Sequence, residues 1–378
     1  MDIEKIFSKI ANTTSDSSVF SCIGELFLLN FRRLYFHSHR GETSISIYDT
    51  DNHCITRPCS INFIHNIKKA FDIQESSIQH RFLRQGYRGI LHYLQDDNEV
   101  SLKLQTIATQ TLKPLSQLGM NKASQDIIVQ KNTKAILISS PQEGGATTTQ
   151  SAILNELTTK RCCAIDNGNT QWPKNTDLLA IRHDIGMNIG AIFEKTSMVD
   201  YWGIAHPIRD HDSLSAALEL SEQNKMLVVS MWGGIHSPLQ TIQRVCEMGG
   251  SQVIDCVDLI ISQYLLPQQC GHCGVGYDVS SAVERELLEY GVDIAKVRLG
   301  YNTGCEKCRY IGYNGQVLIY ELWQIDAALR KAVHTNMSEE KITKMAQKTA
   351  TLRETLLHNL YAGKIDAGTF LQVMEWLT

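Results

Sequence analysis

Four cysteines in this chain have the spacing of metal ligands. They form two Cys-x-x-Cys pairs, Cys270 with Cys273 and Cys305 with Cys308. Four thiolates fill the tetrahedral coordination shell of Zn²⁺ and leave no open position, which is typical of a structural site. Glycines flank both pairs, which argues against four unrelated buried cysteines, and a redox motif would account for only one pair. His272 lies inside the first pair, and we expect it to be a solvent-facing spacer.

A second candidate site is the loop at residues 140–149, which reads Ser-Pro-Gln-Glu-Gly-Gly-Ala-Thr-Thr-Thr. It follows an apolar run at 135–139 and precedes a helical pattern, which is the strand–loop–helix order of a phosphate-binding loop. Such a loop uses backbone N–H groups, a lysine and a hydroxyl that ligates Mg²⁺. The sequence has no lysine here, so it predicts a degenerate, weak nucleotide-binding site at Gly144, Gly145, Ala146, Thr147 and Thr148.

The composition is that of an ordinary globular protein. The 378 residues are 43% hydrophobic and 20% charged, which suits about two to three domains with buried cores. The net charge of −4 and the lack of a long basic run argue against nucleic-acid binding. Eleven cysteines, with no secretory signal before them, predict reduced thiols and a cytoplasmic protein. No apolar run is long enough to span a membrane.

The elements that must position these residues follow from periodicity and turn signals. The first part of the chain reads as α+β, with strands near 44–48 and 100–107. Strands near 201–205 and 226–230 alternate with helices near 212–222 and 239–248, which favours a wound α/β sheet. Between the cysteine pairs, Ser281 and Glu284 form a predicted capping box that begins a short helix, and Gly291 ends it. The chain beyond 322 is predicted to be helical.

These motifs together resemble one family. The segment 270–321, which contains Gly-Cys-Glu-Lys-Cys and Gly-Tyr-Asn-Gly, is similar to the C-terminal zinc element of type II secretion and type IV pilus assembly ATPases. Pro141, Gly145 and residues 147–149 resemble the tail of that family's Gly-Pro-Thr-Gly-Ser-Gly-Lys-Thr-Thr-Thr loop. Residues 208–210 resemble the end of its Gly-Glu-Ile-Arg-Asp segment. The chain is therefore identified as a degenerate member of this secretion ATPase family.

The resemblance implies a fold and an assembly. The implied α/β fold has a small N-terminal α+β domain at 1–108, a RecA-like P-loop-type domain at 109–266, a tetracysteine zinc insert at 267–321 and a C-terminal helical subdomain at 322–378. Members of the family form hexameric rings whose ATP hydrolysis drives an inner-membrane platform for pilus or pseudopilus assembly. The implied cofactor is zinc, and the implied partners are platform proteins and an active paralogous ATPase, in a homo- or hetero-hexamer. The implied location is the cytoplasm, peripheral to the inner membrane through those partners, with no nucleic acid.

Several departures from the family pattern coincide at the nucleotide. In the loop, Ser140 stands at the position of the family's first glycine and Ala146 at that of its lysine. Pro207 stands at the position of the general base and Gly233 at that of a histidine. In the family's acidic segment, here residues 165–169, only Asp166 remains. An arginine-bearing segment is also missing after residue 109. Glu143 adds negative charge where phosphates would lie, which opposes anion binding. ATP and Mg²⁺ binding is therefore predicted to be weak.

Three functional hypotheses follow. The first is a structural or regulatory pseudo-ATPase subunit of a type II secretion or type IV pilus-type machine, with no catalytic residue assigned. The second is a divergent but active ATPase whose lysine and base come from elsewhere, and hydrolysis in a mixed ring would distinguish it. The third is a free-standing zinc-dependent adaptor, for which a chelator should abolish partner binding while the protein stays monomeric.

Overall fold

The computed structural model describes most of the chain from residue 31 onward. The described residues are 31–39, 42–49, 54–58, 69, 77–84, 87–95, 99–106, 112–130, 133–141, 143–157, 162–166, 172–174, 176–179, 192, 201–208, 210–222, 226–231, 237–276, 281–297, 300–302, 304–308 and 310–377. The chain divides into two compact units, residues 1–110 and residues 111–378.

The described part of the first unit is a six-stranded antiparallel sheet. Its strands are β1 (Phe31–His39), β2 (Glu42–Asp49), β3 (Cys54–Pro58), β4 (Ser77–Arg84), β5 (Tyr87–Gln95) and β6 (Glu99–Thr106). They pair in the order β3-β2-β1-β6-β5-β4. Phe36 of β1 pairs with Ile45 of β2, and both side chains are buried. The strands predicted near 44–48 and 100–107 are confirmed.

The second unit is built on an eight-stranded mixed sheet. The described strands of this unit are β7 (Ala135–Ser139), β8 (Cys162–Ile165), β9 (Thr176–Leu179), β10 (Tyr201–Ile208), β11 (Met226–Met231), β12 (Leu259–Gln269), β13 (Gly274–Gly276), β14 (Gly300–Asn302), β15 (Tyr313–Gln324) and β16 (Gln347–Ala350). Of these, β13 and β14 form a separate two-stranded ribbon, and the other eight form the sheet. The order is β16-β15-β12-β7-β11-β10-β8-β9. Strands β12 to β9 in that order run parallel, and β15 and β16 add antiparallel strands at one edge.

Helices cover both faces of this sheet. The described helices are α1 (Lys122–Ile128), α2 (Ala146–Glu156), α3 (His211–Glu222), α4 (Pro238–Gly249), α5 (Ser281–Glu289), α6 (Ala327–His334), α7 (Glu339–Met345), α8 (Leu352–Tyr361) and α9 (Ala367–Leu377). Ile138 of β7 packs with Ile153 of α2, while Leu137 packs with Leu214 of α3 and Ile242 of α4. Successive residues of a strand point to opposite faces, so β7 is apolar on both sides. The predicted α/β fold with a parallel sheet is confirmed.

Local capping explains where two of these helices begin. Asp210 accepts a hydrogen bond of 2.8 Å from the N–H of Ser213 at the start of α3, and Ser237 accepts one of 3.2 Å from the N–H of Gln240 in α4. Such bonds satisfy N–H groups that have no partner within the helix. Gly250, with φ of 79°, ends α4. Among the helices that the structure describes, none has the length and apolar content needed to cross a membrane.

The elements after residue 258 differ from the predicted division. The boundaries predicted at 266/267 and 321/322 fall inside β12 and β15, which pair with each other along most of their lengths. The region beyond 322 holds α6 to α9 but also β16, so the prediction that it is all helical was wrong. β16 reads Gln-Lys-Thr-Ala, and its backbone pairs with Leu322, Trp323 and Gln324. It is a short edge strand held by its backbone hydrogen bonds to β15 and by the burial of Ala350. The strand was not predicted because four largely polar residues show no strand periodicity.

Candidate nucleotide loop and metal centre

The loop after β7 has a compact, left-handed backbone. Glu143 has φ of 66° and Gly145 has φ of 83°, both in the left-handed region. The N–H of Gly144 donates to the carbonyl of Pro141 at 2.9 Å, and the N–H of Thr149 donates to the carbonyl of Gly145 at 3.0 Å, which begins α2. The turn between β7 and α2 is therefore tightly closed. The strand, loop and helix predicted at 135–157 are confirmed as elements.

The five predicted nucleotide-binding residues are brought together at this turn. Gly144 and Gly145 end the loop, and Ala146, Thr147 and Thr148 form the first turn of α2. The N–H groups of a first helical turn have no partners within the helix and attract anions weakly. Ala146 is half-buried against the apolar cluster beneath α2, so its methyl group supplies packing and no charge. The position can offer backbone donors and the hydroxyl of Thr147, but no cation.

Two buried glutamines support the loop and its helix, and sequence reasoning missed both. Gln263 of β12 donates from Nε2 to the carbonyl of Gly144 at 2.7 Å. Gln150 of α2 donates from Nε2 to the carbonyls of Ile204 at 2.8 Å and Val228 at 3.2 Å. Gln263 follows another polar residue, Ser262, within β12, and that pattern did not single it out. Gln150 follows three threonines, and nothing in that pattern indicated burial.

A chain of hydroxyl groups crosses the other face of the sheet below the loop. Ser139, the last residue of β7, lies 2.8 Å from Ser262 of β12 between their Oγ atoms. Thr241 of α4 donates from Oγ1 to Ser139 at 2.9 Å, and also lies 3.0 Å from the carbonyl of Ser237. All three linked hydroxyl-bearing residues are buried. Buried hydroxyls require such partners, so the base of the loop is fixed to β12 and α4.

Asp166, the one acidic residue that remains in the segment 165–169, lies at the carboxyl end of β8. Asp166 is buried, and its Oδ2 accepts a hydrogen bond of 2.9 Å from the indole Nε1 of Trp172. The Trp172 ring packs closely over β10, because a Cβ on Gly203 would lie 2.9 Å from it. The carboxylate is thus engaged by an indole in a packed region.

Pro207, which stands where the family has its general base, lies in an irregular part of β10. Ile204 pairs with Val229 of β11, but the next pairing joins Ile208 to Met231, so β10 has extra residues at this point. Pro207 lies within that stretch. A proline has no N–H to donate to a neighbouring strand, and such residues are found at edges or bulges. Gly233, at the predicted histidine position, lies outside the described residues.

The four cysteines predicted as metal ligands come together as one cluster. Their Sγ atoms all lie within 4.8 Å of one another. The distance is 3.9 Å between Cys270 and Cys305, 3.6 Å between Cys273 and Cys308, and 3.7 Å between Cys305 and Cys308. Zn–S bonds of about 2.3 Å in a tetrahedron place sulfurs about 3.8 Å apart. The donor set and spacing therefore fit a tetrahedral metal ion.

The second pair has the backbone of a metal-binding knuckle. The N–H groups of Cys305 and Gly312 point at the Sγ of Cys308 at 3.1 Å and 3.3 Å. Burial opposes a thiolate at Cys308, but these donors outweigh it and lower the pKa of its thiol to about 6. Gly304 has φ of 78°, and a Cβ there would lie 2.5 Å from the carbonyl oxygen of Tyr310. His272 is exposed outside the cluster, as predicted.

The sequence of the second half of the chain matches a known family. Residues 206–372 match the family described as Type II/IV secretion system protein. This segment of the chain is related to that family. The matched segment includes all four cysteines and begins after the loop at 140–149.

Individual relatives agree with that match. It is 26% identical over 309 residues to type II secretion system protein E of Dickeya dadantii (strain 3937), covering 78% of this chain and 57% of the relative. It is 29% identical over 160 residues to the type IV pilus assembly ATPase PilB of Thermus thermophilus, covering 41% of this chain and 18% of that one. The chain thus spans little more than half of its type II secretion relative.

A solved structure supports the fold. The ATPase DotB of Legionella pneumophila matches with a TM-score of 0.63 at 11% identity, covering 97% of this chain and 98% of that chain. At this level of identity the likeness shows the fold alone.

Proposed function

We propose that this chain is a structural or regulatory pseudo-ATPase subunit of a type II secretion or type IV pilus-type machine. The observation that carries the proposal is the loop at 140–145, which keeps a tight strand–loop–helix turn while Ala146 stands at the lysine position. The fold is retained, and the charged group that would hold a phosphate is replaced by a methyl group. The family match and the named relatives support the type of machine.

The physical cost of this replacement is large enough to matter. A hydrogen bond to a charged group contributes about 1.5–3 kcal/mol, which corresponds to about a 10-fold to 150-fold loss of affinity. Glu143 is exposed beside the loop, and its charge adds repulsion toward phosphates. The carboxylate of Asp166 is buried with Trp172. These features support a protein that binds nucleotide weakly and does not turn it over.

The cysteine cluster is proposed to hold a structural Zn²⁺ through Cys270, Cys273, Cys305 and Cys308. Four thiolates leave no coordination position for water or substrate. Cys270 directly follows β12, and Cys308 comes shortly before β15. When bound, the ion would join the ends of these paired strands and stabilise the segment between them, since metal binding and folding are coupled in such sites.

The proposed setting is a cytoplasmic ring or platform complex at the inner membrane. The partners would be platform proteins and an active paralogous ATPase, in a homo- or hetero-hexamer. These assignments rest on the family resemblance. Pulldown with the platform protein and with the paralogue, followed by sizing of the complex, tests them.

A nucleotide titration tests the central proposal. ATP binding to the purified full chain is measured by calorimetry with and without Mg²⁺, and phosphate release is measured in parallel. We expect millimolar or weaker binding and no turnover. Ala146→Lys is the matched gain-of-function variant, and it should tighten binding by about 10-fold or more. Magnesium-dependent hydrolysis by the unaltered chain, abolished in Thr147→Ala, would contradict the proposal.

A divergent active ATPase is the second candidate, because the curated pilus relative is itself named an ATPase. In that case the missing lysine and base would come from a neighbouring subunit. Mixing this chain with an active paralogue tests the idea. Turnover that rises with the proportion of this chain, and falls again in its Thr147→Ala variant, would favour the active candidate.

A further inference from the structure

We propose that Gln263 is a positioning residue that holds the loop at 140–145 in place without a bound ligand. The Gln263 side-chain amide and the Gly144 carbonyl, joined by one hydrogen bond of 2.7 Å, are called the loop latch below. The inference rests on the proposed function, since a subunit that works through its contacts needs a loop that does not depend on nucleotide.

The loop needs such a restraint because its backbone is strained. Glu143 has φ of 66° although it carries a side chain. A residue other than glycine in the left-handed region persists when the surrounding structure fixes it. The backbone on either side is also tightly folded, since a Cβ on Gly144 would lie 2.8 Å from the Cβ of Ser140. An unrestrained loop would relax toward extended conformations.

The contacts with β12 supply the restraint. Gln263 and Gly144 are both buried, so their hydrogen bond is shielded from competition with water. A Cβ on Gly145 would lie 3.1 Å from Leu265 and 3.2 Å from the Nε2 of Gln263. The loop is therefore pressed onto β12 at two successive glycines, and a hydrogen bond fixes the first of them.

The amide oxygen of Gln263 indicates that a glutamine stands here for its N–H donor. The Oε1 of Gln263 is buried and has no hydrogen-bond partner among the residues that the structure describes. An unsatisfied buried acceptor is unfavourable, and an apolar side chain of similar volume would avoid it. The donor function of Nε2 toward Gly144 is the interaction that offsets this cost. Fixing the Gly144 carbonyl also fixes the direction of the Gly145 N–H, which lies in the same peptide plane just before α2.

Hydrogen exchange tests the loop latch directly, and it uses no nucleotide. Exchange of peptides covering 143–150 is compared in the unaltered protein, in Gln263→Met and in Ile261→Val. Gln263→Met fills the space without a donor, and it removes the unsatisfied oxygen as well. Ile261→Val is a matched control on the same strand, in the buried apolar cluster against which Ala146 and Leu265 pack, and its side chain has no polar group. Peptides from β7 and α4 report global stability in each variant.

The expected result is a loop-specific change. Exchange at 143–150 should become about tenfold faster or more in Gln263→Met, while β7 and α4 keep their protection, and Ile261→Val should leave the loop unchanged. If Gln263→Met does not unfold cooperatively, Gln263→Asn is used, because it keeps the amide but withdraws it by one methylene. Unchanged loop exchange, or an increase shared equally by β7 and α4, would overturn the proposal. Neither outcome depends on whether the chain hydrolyses ATP.

Discussion

Replacing Gly304 with alanine should disrupt the backbone of the knuckle that contains Cys305 and Cys308. The backbone of Gly304 is left-handed, with φ of 78°. An added Cβ would lie 2.5 Å, 2.7 Å and 2.8 Å from the O, C and Cα atoms of Tyr310. These are backbone atoms, so no side-chain rotation relieves the overlap. The chain around Cys305 and Cys308 must move, and both are proposed ligands of the metal ion.

The magnitude follows from two contributions. A left-handed conformation costs a residue with a side chain about 1–2 kcal/mol, and overpacking costs about 1–3 kcal/mol. The total is about 2–5 kcal/mol if the knuckle relaxes when the metal leaves. At about 1.4 kcal/mol for each factor of ten, zinc affinity should fall by about 30-fold to 4,000-fold.

Competition with a chromophoric chelator measures this change on the purified full chain. Gly271→Ala is the matched control, because Gly271 lies in the other knuckle and a Cβ there would have no heavy atom within 4 Å. Its φ is not positive, and the residue is exposed. We expect Gly271→Ala to retain wild-type affinity within about threefold. Equal affinities for Gly304→Ala and Gly271→Ala would refute the reasoning about the knuckle backbone.

Three further changes concern stability, each measured by urea denaturation of the metal-loaded protein. Glu143→Gly should stabilise by up to about 1 kcal/mol, since relief of the left-handed strain exceeds the entropy that glycine adds to the unfolded chain. Trp172→Phe should destabilise by about 1.5–3 kcal/mol, because the buried Asp166 carboxylate loses its indole donor; an equal loss in Asp166→Asn alone and no further loss in the double variant would confirm the pairing. Arg330→Met should cost about 2 kcal/mol with little salt dependence, because the guanidinium bonds Asp258 at 2.7 Å and two backbone carbonyls while largely buried; a stability unchanged within 0.5 kcal/mol, roughly the scatter of surface substitutions, would count against that role.

Local signals predicted the elements that surround the loop. The apolar run at 135–139 and the helix after it follow from periodicity, and the structure confirms both. The cysteine cluster was predictable because ligand spacing is a local property, even though β12 and β15 bring the pairs together over a long separation.

The contacts under the loop were not predictable, because they depend on which strands become neighbours. Gln263 meets Gly144 only after β12 is placed beside β7. Gln150 reaches two carbonyls only because α2 crosses β10 and β11. The pairing of β16 with β15 likewise depends on the tertiary arrangement, since a short polar segment has little intrinsic preference for a strand. Such features belong to the assembled sheet.

The pairing of β12 with β15 has a kinetic consequence. The two strands are antiparallel neighbours, but residues 270–312 separate them where a short turn would ordinarily close a hairpin. Closing so long a connection costs chain entropy before any ladder bond forms, and distant contacts of this kind slow folding. A metal ion bound by the cysteines would shorten the effective connection, because it ties Cys270 and Cys273 to the knuckle just before β15. Refolding from urea should therefore be faster with zinc present than with a chelator present.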